Sequence, residues 1–112
     1  MIVLENNEKV EKAFEEFRKC LKILKRIGVK RVETFLKDKE VFIFLDIDGV
    51  PLSKETILRK THRRLKHALK IIYSSKFLKG GKYLKITRIE AVFWEGKIRQ
   101  EIFFSSDTES GG

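Results

Sequence analysis

Apolar residues recur at positions 10, 13, 14, 17, 20, 21, 24 and 27, the i, i+3, i+4, i+7 rhythm of a helix that buries one face. The pattern predicts a first helix over about residues 5–27. A stripe of that width is stable only against another layer, so the rest of the chain has to supply one. The charge order supports the direction of the helix. Glu5, Glu8, Glu11, Glu15 and Glu16 fill its first half and Lys22, Lys25 and Arg26 its last turns, as the helix dipole favours. Glu15 and Lys19 form an i, i+4 pair, and Gly28 is placed to close the helix.

Two segments rich in β-branched and aromatic residues follow, "VKRVETFL" (29–36) and "VFIFLDI" (41–47), separated by the polar "KDKE". They read as a hairpin. The first mixes charged and apolar positions, whereas 41–45 is apolar throughout, which predicts cover on both faces of that strand. In a two-layer domain one sheet face stays open, so a second copy of the chain is the expected cover. After Gly49 and Pro51, Ser53 is placed to cap a second helix over about 53–74, with Leu58, Thr61, Leu65, Ala68, Leu69 and Ile72 as its buried stripe. "SSKFLKGGK" reads as a loop. "YLKITRIEAVFW" and "KIRQEIFF" flank "EG" as a second hairpin, with Gly96 free to take positive φ.

The expected architecture is α+β, in the order α-β-β-α-β-β, with a four-stranded, mainly antiparallel sheet and two helices on one face. At 112 residues this is one domain, drawn over residues 1–105, with the polar, Gly- and Ser-rich end "SSDTESGG" (105–112) predicting a disordered tail over 106–112. The single Cys20 lies on the apolar stripe and reads as a buried thiol. Residues 1–8 lack the basic start and the apolar run of a signal peptide, and nowhere do 18 apolar residues run together, so a soluble, cytoplasmic protein is expected. The 37 % of charged residues, rich in Lys and Glu, is similar to the composition of heat-adapted proteins.

Asp46 and Asp48 raise the question of catalysis. Residues i and i+2 of a strand share a face, so the pair could hold a divalent cation, with Glu90 as a third ligand. "FLDIDGV" resembles, over about ten residues, the first motif of haloacid-dehalogenase-type phosphatases. That resemblance implies a doubly wound sheet and a later acidic cluster, yet beyond Gly49 the only aspartate is Asp107. "DIDG" also resembles the end of the LAGLIDADG homing-endonuclease motif, which belongs at the close of the first helix; here that helix ends "LKRIG", without an acid. The preferred reading is structural: the aspartates end a strand and Asp-Gly begins a turn. A metal-dependent nuclease built on Asp46 and Asp48 is the alternative, with "EGK" (95–97) as an accessory acid and lysine. His62 and His67, five residues apart, cannot share a metal as an i, i+4 pair can. No cofactor motif is present.

The net charge of +9 is concentrated in one segment. Residues 53–79 hold nine basic residues against Glu55 alone, whereas 1–52 and 80–112 are close to neutral. Arg59, Arg63, Lys66 and Lys70 follow i, i+4, i+7, i+11 along one flank of the second helix, with Lys60 and Arg64 beside them and Lys76 and Lys79 just beyond. Cations packed this closely repel one another unless a polyanion relieves them. The expected function is therefore a non-catalytic nucleic-acid-binding protein, DNA or RNA, that contacts phosphates through this helix. About five such contacts would give log K against log salt a slope of about −4 to −5. Tyr83, Phe93, Trp94, Phe103 and Phe104 on the second hairpin offer stacking surfaces if their face is open. A structural module binding an acidic protein is a further alternative.

Overall fold

The computed structural model describes residues 3–4 and 7–106, with the side chains described from residue 7 onward. The elements run β1 (Val3–Leu4), α1 (Asn7–Ile27), β2 (Arg31–Lys37), β3 (Glu40–Leu45), α2 (Glu55–Ser74), β4 (Phe77–Lys79), β5 (Lys82–Trp94) and β6 (Lys97–Ser106). The α-β-β-α-β-β order is therefore present, and the sheet is antiparallel at every pairing. Its body runs β3-β2-β5-β6, with β4 beside the start of β5 and β1 beside β4.

Both helices lie on one face. Phe17, Cys20, Leu21 and Leu24 of α1 and Leu65, Leu69 and Ile72 of α2 share a single apolar cluster with Val32, Ile86, Ile89 and Ala91 of the sheet. Phe14 of α1 meets Phe77 of β4 edge-on, and Phe77 meets Phe104 of β6, which sets α1 over the β4–β6 side. Tyr73 sets α2 over β2: its hydroxyl lies 2.6 Å from the Thr34 Oγ1 inside the core. Burial pushes the Tyr73 phenol up to about 12 and the Cys20 thiol up to about 11, so both stay neutral and Cys20 is the inert thiol expected of a buried position.

The turns obey local chemistry. Gly28, at φ 108°, closes α1 with Val29 N–H donating to the Leu24 carbonyl at 2.9 Å, a left-handed cap. Asp38 and Lys39 (φ 51° and 66°) make the two-residue turn between β2 and β3, and Glu95 and Gly96 (φ 45° and 74°) the turn between β5 and β6. Both match the twist of antiparallel strands.

Three expectations require correction. Among the described residues the sheet has six strands and not four, because Val3–Leu4 forms β1 and "FLK" within the presumed loop forms β4, which Gly80–Gly81, both at positive φ, fold back on β5. β5 is thirteen residues long and outreaches β2, leaving an edge that β4 fills. Ser53 does not cap α2. It sits within a 3-10 turn, Leu52–Lys54, where the Lys54 amide is already satisfied by the Pro51 carbonyl at 2.9 Å, and Lys54 takes the cap position without a side-chain bond. Within one chain β3 is covered on one face, with Val41, Ile43 and Leu45 packed on the core, whereas Phe42 and Phe44 are 37 % and 56 % exposed on the face for which a second copy is the expected cover. Ser106, expected in the tail, ends β6 and so belongs to the fold; the rest of the expected tail, 107–112, like Glu5, lies outside the described residues.

Candidate nucleic-acid interface

Thr61, Leu65, Ala68, Leu69, Ile72 and Tyr73 bury one face of α2. At about 100° per residue, this fixes where its cations go. Arg59, Arg63, Lys66 and Lys70 are exposed along the flank that overhangs β3. From first to last they cover roughly 16 Å of helix axis, at 1.5 Å per residue. Arg64 emerges on the opposite flank and meets α1, its Nε and Nη2 donating to the two Glu16 carboxylate oxygens at 2.6 and 3.0 Å.

Two cavities lie along the α2–β3 flank. One, of about 620 Å³, is lined by Ile43, Leu45, Ile47, Leu58, Arg59, His62 and Arg63. The other, also about 620 Å³, is lined by Lys66, Lys70, Tyr73 and Ser74 of α2, by Leu36, Lys39, Glu40 and Val41 of the first hairpin, and by Lys85. It opens where the sheet parts: β2 leaves β5 at Phe35–Arg88, and β4 joins β5 only from Leu84. The two cavities follow one another along α2 and β3, and we treat them as one groove, with Arg59, Arg63, Lys66 and Lys70 of α2 on one side and Val41, Ile43 and Leu45 of β3 on the other. Six cations line it against one carboxylate, Glu40. Arg59 is partly engaged by Glu55 at 2.6 Å one turn earlier. Burial, followed by the nearby Lys66, lowers the His62 pKa below its ordinary value, which keeps the ring neutral at pH 7.

The groove sorts the residues singled out by sequence. Arg59, Arg63, Lys66 and Lys70 are brought together in it. Lys60 is exposed on α2 outside its lining, and Arg64 is held by Glu16. Lys76 lies 5.8 Å from the centroid of the Tyr83 ring, and Lys79 ends β4. Lys39 and Lys85 were missed: one sits in a hairpin turn and the other reaches the groove only because of the strand register.

The Glu16–Arg64 pair makes a prediction of its own. The Arg64 guanidinium holds the Glu16 carboxyl below its ordinary value. A carboxyl depressed in the folded state contributes stability that is present above its unfolded pKa, near 4.5, and lost as pH falls through the lower folded value. Both side chains are more than a third exposed, so the pair contributes less than about 1 kcal/mol. Glu16→Gln should therefore lower the melting temperature slightly at pH 7 and flatten the fall in melting temperature between about pH 5 and pH 3.

The sheet face away from the helices is also open. Phe35 stacks between Phe42 and Phe44, with centroids 5.3 and 5.6 Å away. Beside this ladder Arg31 and Arg88 interleave with Glu33 and Glu90: Arg31 donates to Glu90, and Arg88 lies 3.6 Å from Glu90 and 3.9 Å from Glu33. The Arg88 guanidinium rests 4.0 Å over the Phe103 ring. Tyr83 and Trp94 are exposed, at 49 % and 67 %, whereas Phe93 and Phe104 pack on the core side.

Asp46 and Asp48 lie past the end of β3 and not on it. The Asp48 amide donates to the Asp46 carboxylate at 3.2 Å, and the Asp46 amide donates to the Arg31 carbonyl at 2.9 Å, an Asx turn of the kind the Asp-Gly sequence favours. Glu90 is engaged by Arg31 and Arg88. Among the described residues no three His, Cys, Asp or Glu side chains converge as a metal site would need, and no helix is long and apolar enough to cross a membrane. Comparison with known proteins returned no matching family model, no matching curated protein and no matching solved structure.

Proposed function

We propose that the protein binds nucleic acid without catalysing a reaction on it, through the cationic flank of α2. The observation that carries this reading is the charge imbalance of the α2–β3 groove, six cations against Glu40, four of them on α2, a helix whose only acid is Glu55. Interleaved carboxylates would have served folding alone, as they do on α1. Phosphates satisfy the cations and release counterions, and most of the contacts carry no sequence information. Because Arg64 is turned to Glu16 and Arg59 is shared with Glu55, Arg63, Lys66 and Lys70 are the principal phosphate contacts.

Mobility-shift titration with single- and double-stranded DNA and RNA at low salt tests the reading. Retention of at least one of these, with no Mg²⁺- or Mn²⁺-dependent cleavage, is expected. Absence of any shift removes it, and cleavage abolished by Asp46→Asn replaces it with the nuclease alternative.

The open sheet face fits a second copy of the chain, in keeping with the dimer expected from β3. It combines an exposed Phe42–Phe44 ladder with the alternating Arg31, Glu33, Arg88 and Glu90. On a two-fold axis each cation can meet a carboxylate of the partner, whereas a polyanion would meet the carboxylates as repulsion. Sedimentation equilibrium should show a dimer, and Phe44→Glu should shift it to monomer. A monomer at 100 µM in the unsubstituted protein contradicts this assembly.

A further inference from the structure

Resting on the nucleic-acid reading, we infer that the α2–β3 groove takes single-stranded nucleic acid, with phosphates on the α2 wall and unstacked bases against the β3 floor. The two sides of the groove differ in kind. The wall carries Arg59, Arg63, Lys66 and Lys70, and the floor carries Val41, Ile43, Leu45 and the half-exposed Ile47, with Lys39, Glu40 and Lys85 at the hairpin end. A single strand has the same two sides, charged backbone along one edge and flat apolar bases along the other. A duplex keeps its bases inside, so it could satisfy the wall but would leave the floor in water.

The neutral His62 ring sits between Arg59 and Arg63 in the same cavity, a donor and acceptor suited to the edge of a base and not to a phosphate. β3 is an edge strand of the sheet, so nothing within its ladder closes the groove on the outer side. An acidic peptide could also lie along this edge. It would alternate its side chains across the strand plane and place only half of its charges toward α2, whereas a single strand sets all its phosphates along one edge, so the row of four cations on α2 favours the nucleic acid.

Fluorescence anisotropy separates the cases with four probes of equal length and charge as far as chemistry allows. These are a labelled oligothymidylate, an abasic strand with the same phosphates, a duplex, and polyglutamate. The oligothymidylate should bind at least about tenfold tighter than the other three, within the range of base stacking on protein surfaces. Tightening with length should level off within roughly 4–16 nucleotides, the site size of a small single-strand-binding fold. Ile47→Ser, at an exposed position, should shrink the preference for bases over the abasic strand by several-fold.

Equal binding of the oligothymidylate and the abasic strand overturns the base-binding groove while leaving phosphate binding intact. Tighter binding of the duplex, or of polyglutamate, overturns it in favour of a duplex surface or a peptide site. Failure of every nucleic-acid probe removes the proposed function itself.

Discussion

Alanine at Arg63, Lys66 and Lys70 together should weaken binding to a single-stranded oligonucleotide by on the order of a hundredfold at moderate salt, with the fold intact. Each of these cations is exposed on α2, and no carboxylate lies within ion-pair distance of any of them among the described contacts. Their loss therefore strands no buried partner. If each contributes roughly 1 kcal/mol through a charge-assisted bond to phosphate, three remove about 3 kcal/mol. Loss of neighbouring like charges relieves repulsion along the helix, so the melting temperature should stay the same or rise slightly. Arg64→Ala is the contrasting substitution. It breaks the bond to Glu16 and should cost stability more than affinity.

The largest effect on stability is expected from Phe17→Ala. Phe17 is fully buried on α1 within the cluster that includes Leu21, Leu24, Leu65 and Ile89. Removing a buried aromatic ring costs about 3–5 kcal/mol through lost transfer energy and the remaining cavity. A domain of this size has a net stability of about 5–15 kcal/mol. The melting temperature should fall by roughly 12–20 °C, at about 4 °C per kcal/mol, and nucleic-acid affinity at 15 °C should be little changed if the variant remains folded there. Affinity lost in proportion to stability would mean that the groove depends on the α1 packing more closely than its lining residues suggest. The loss matters for function through α2, which is held in place by this core on one side and by Glu16 on the other.

Much of this architecture is legible in the chain because strong local signals agree. The periodicity from Val10 to Ile27, the cap at Gly28 and the turn at Gly96 each depend on neighbours within a few residues. β4 is not legible in the same way, since three residues with one buried member, Phe77, carry no period. Its existence follows from the length of β5, a tertiary property. The cationic flank was also readable, because helical spacing alone aligns Arg59, Arg63, Lys66 and Lys70. What could not be read was which arginine is already satisfied. Glu16 and Arg64 are 48 residues apart, and only the α1–α2 packing brings them together. Lys39 and Lys85 likewise enter the groove through register and a gap in the sheet. The Asp46 and Asp48 pair illustrates the converse. Its spacing suits a metal on a strand, but the strand stops at Leu45 and the first carboxylate turns back to hold the amide of the second.

The salt dependence of binding tests the central claim most directly. With three principal contacts and a share from Arg59, a plot of log K against log salt for single-stranded oligonucleotide should be linear with a slope of about −2 to −3, shallower than the sequence alone suggested. The alanine variant of Arg63, Lys66 and Lys70 should bring it to within about one of zero. A slope near zero in the unsubstituted protein, or one that the triple substitution leaves unchanged, would contradict a phosphate-binding role for α2.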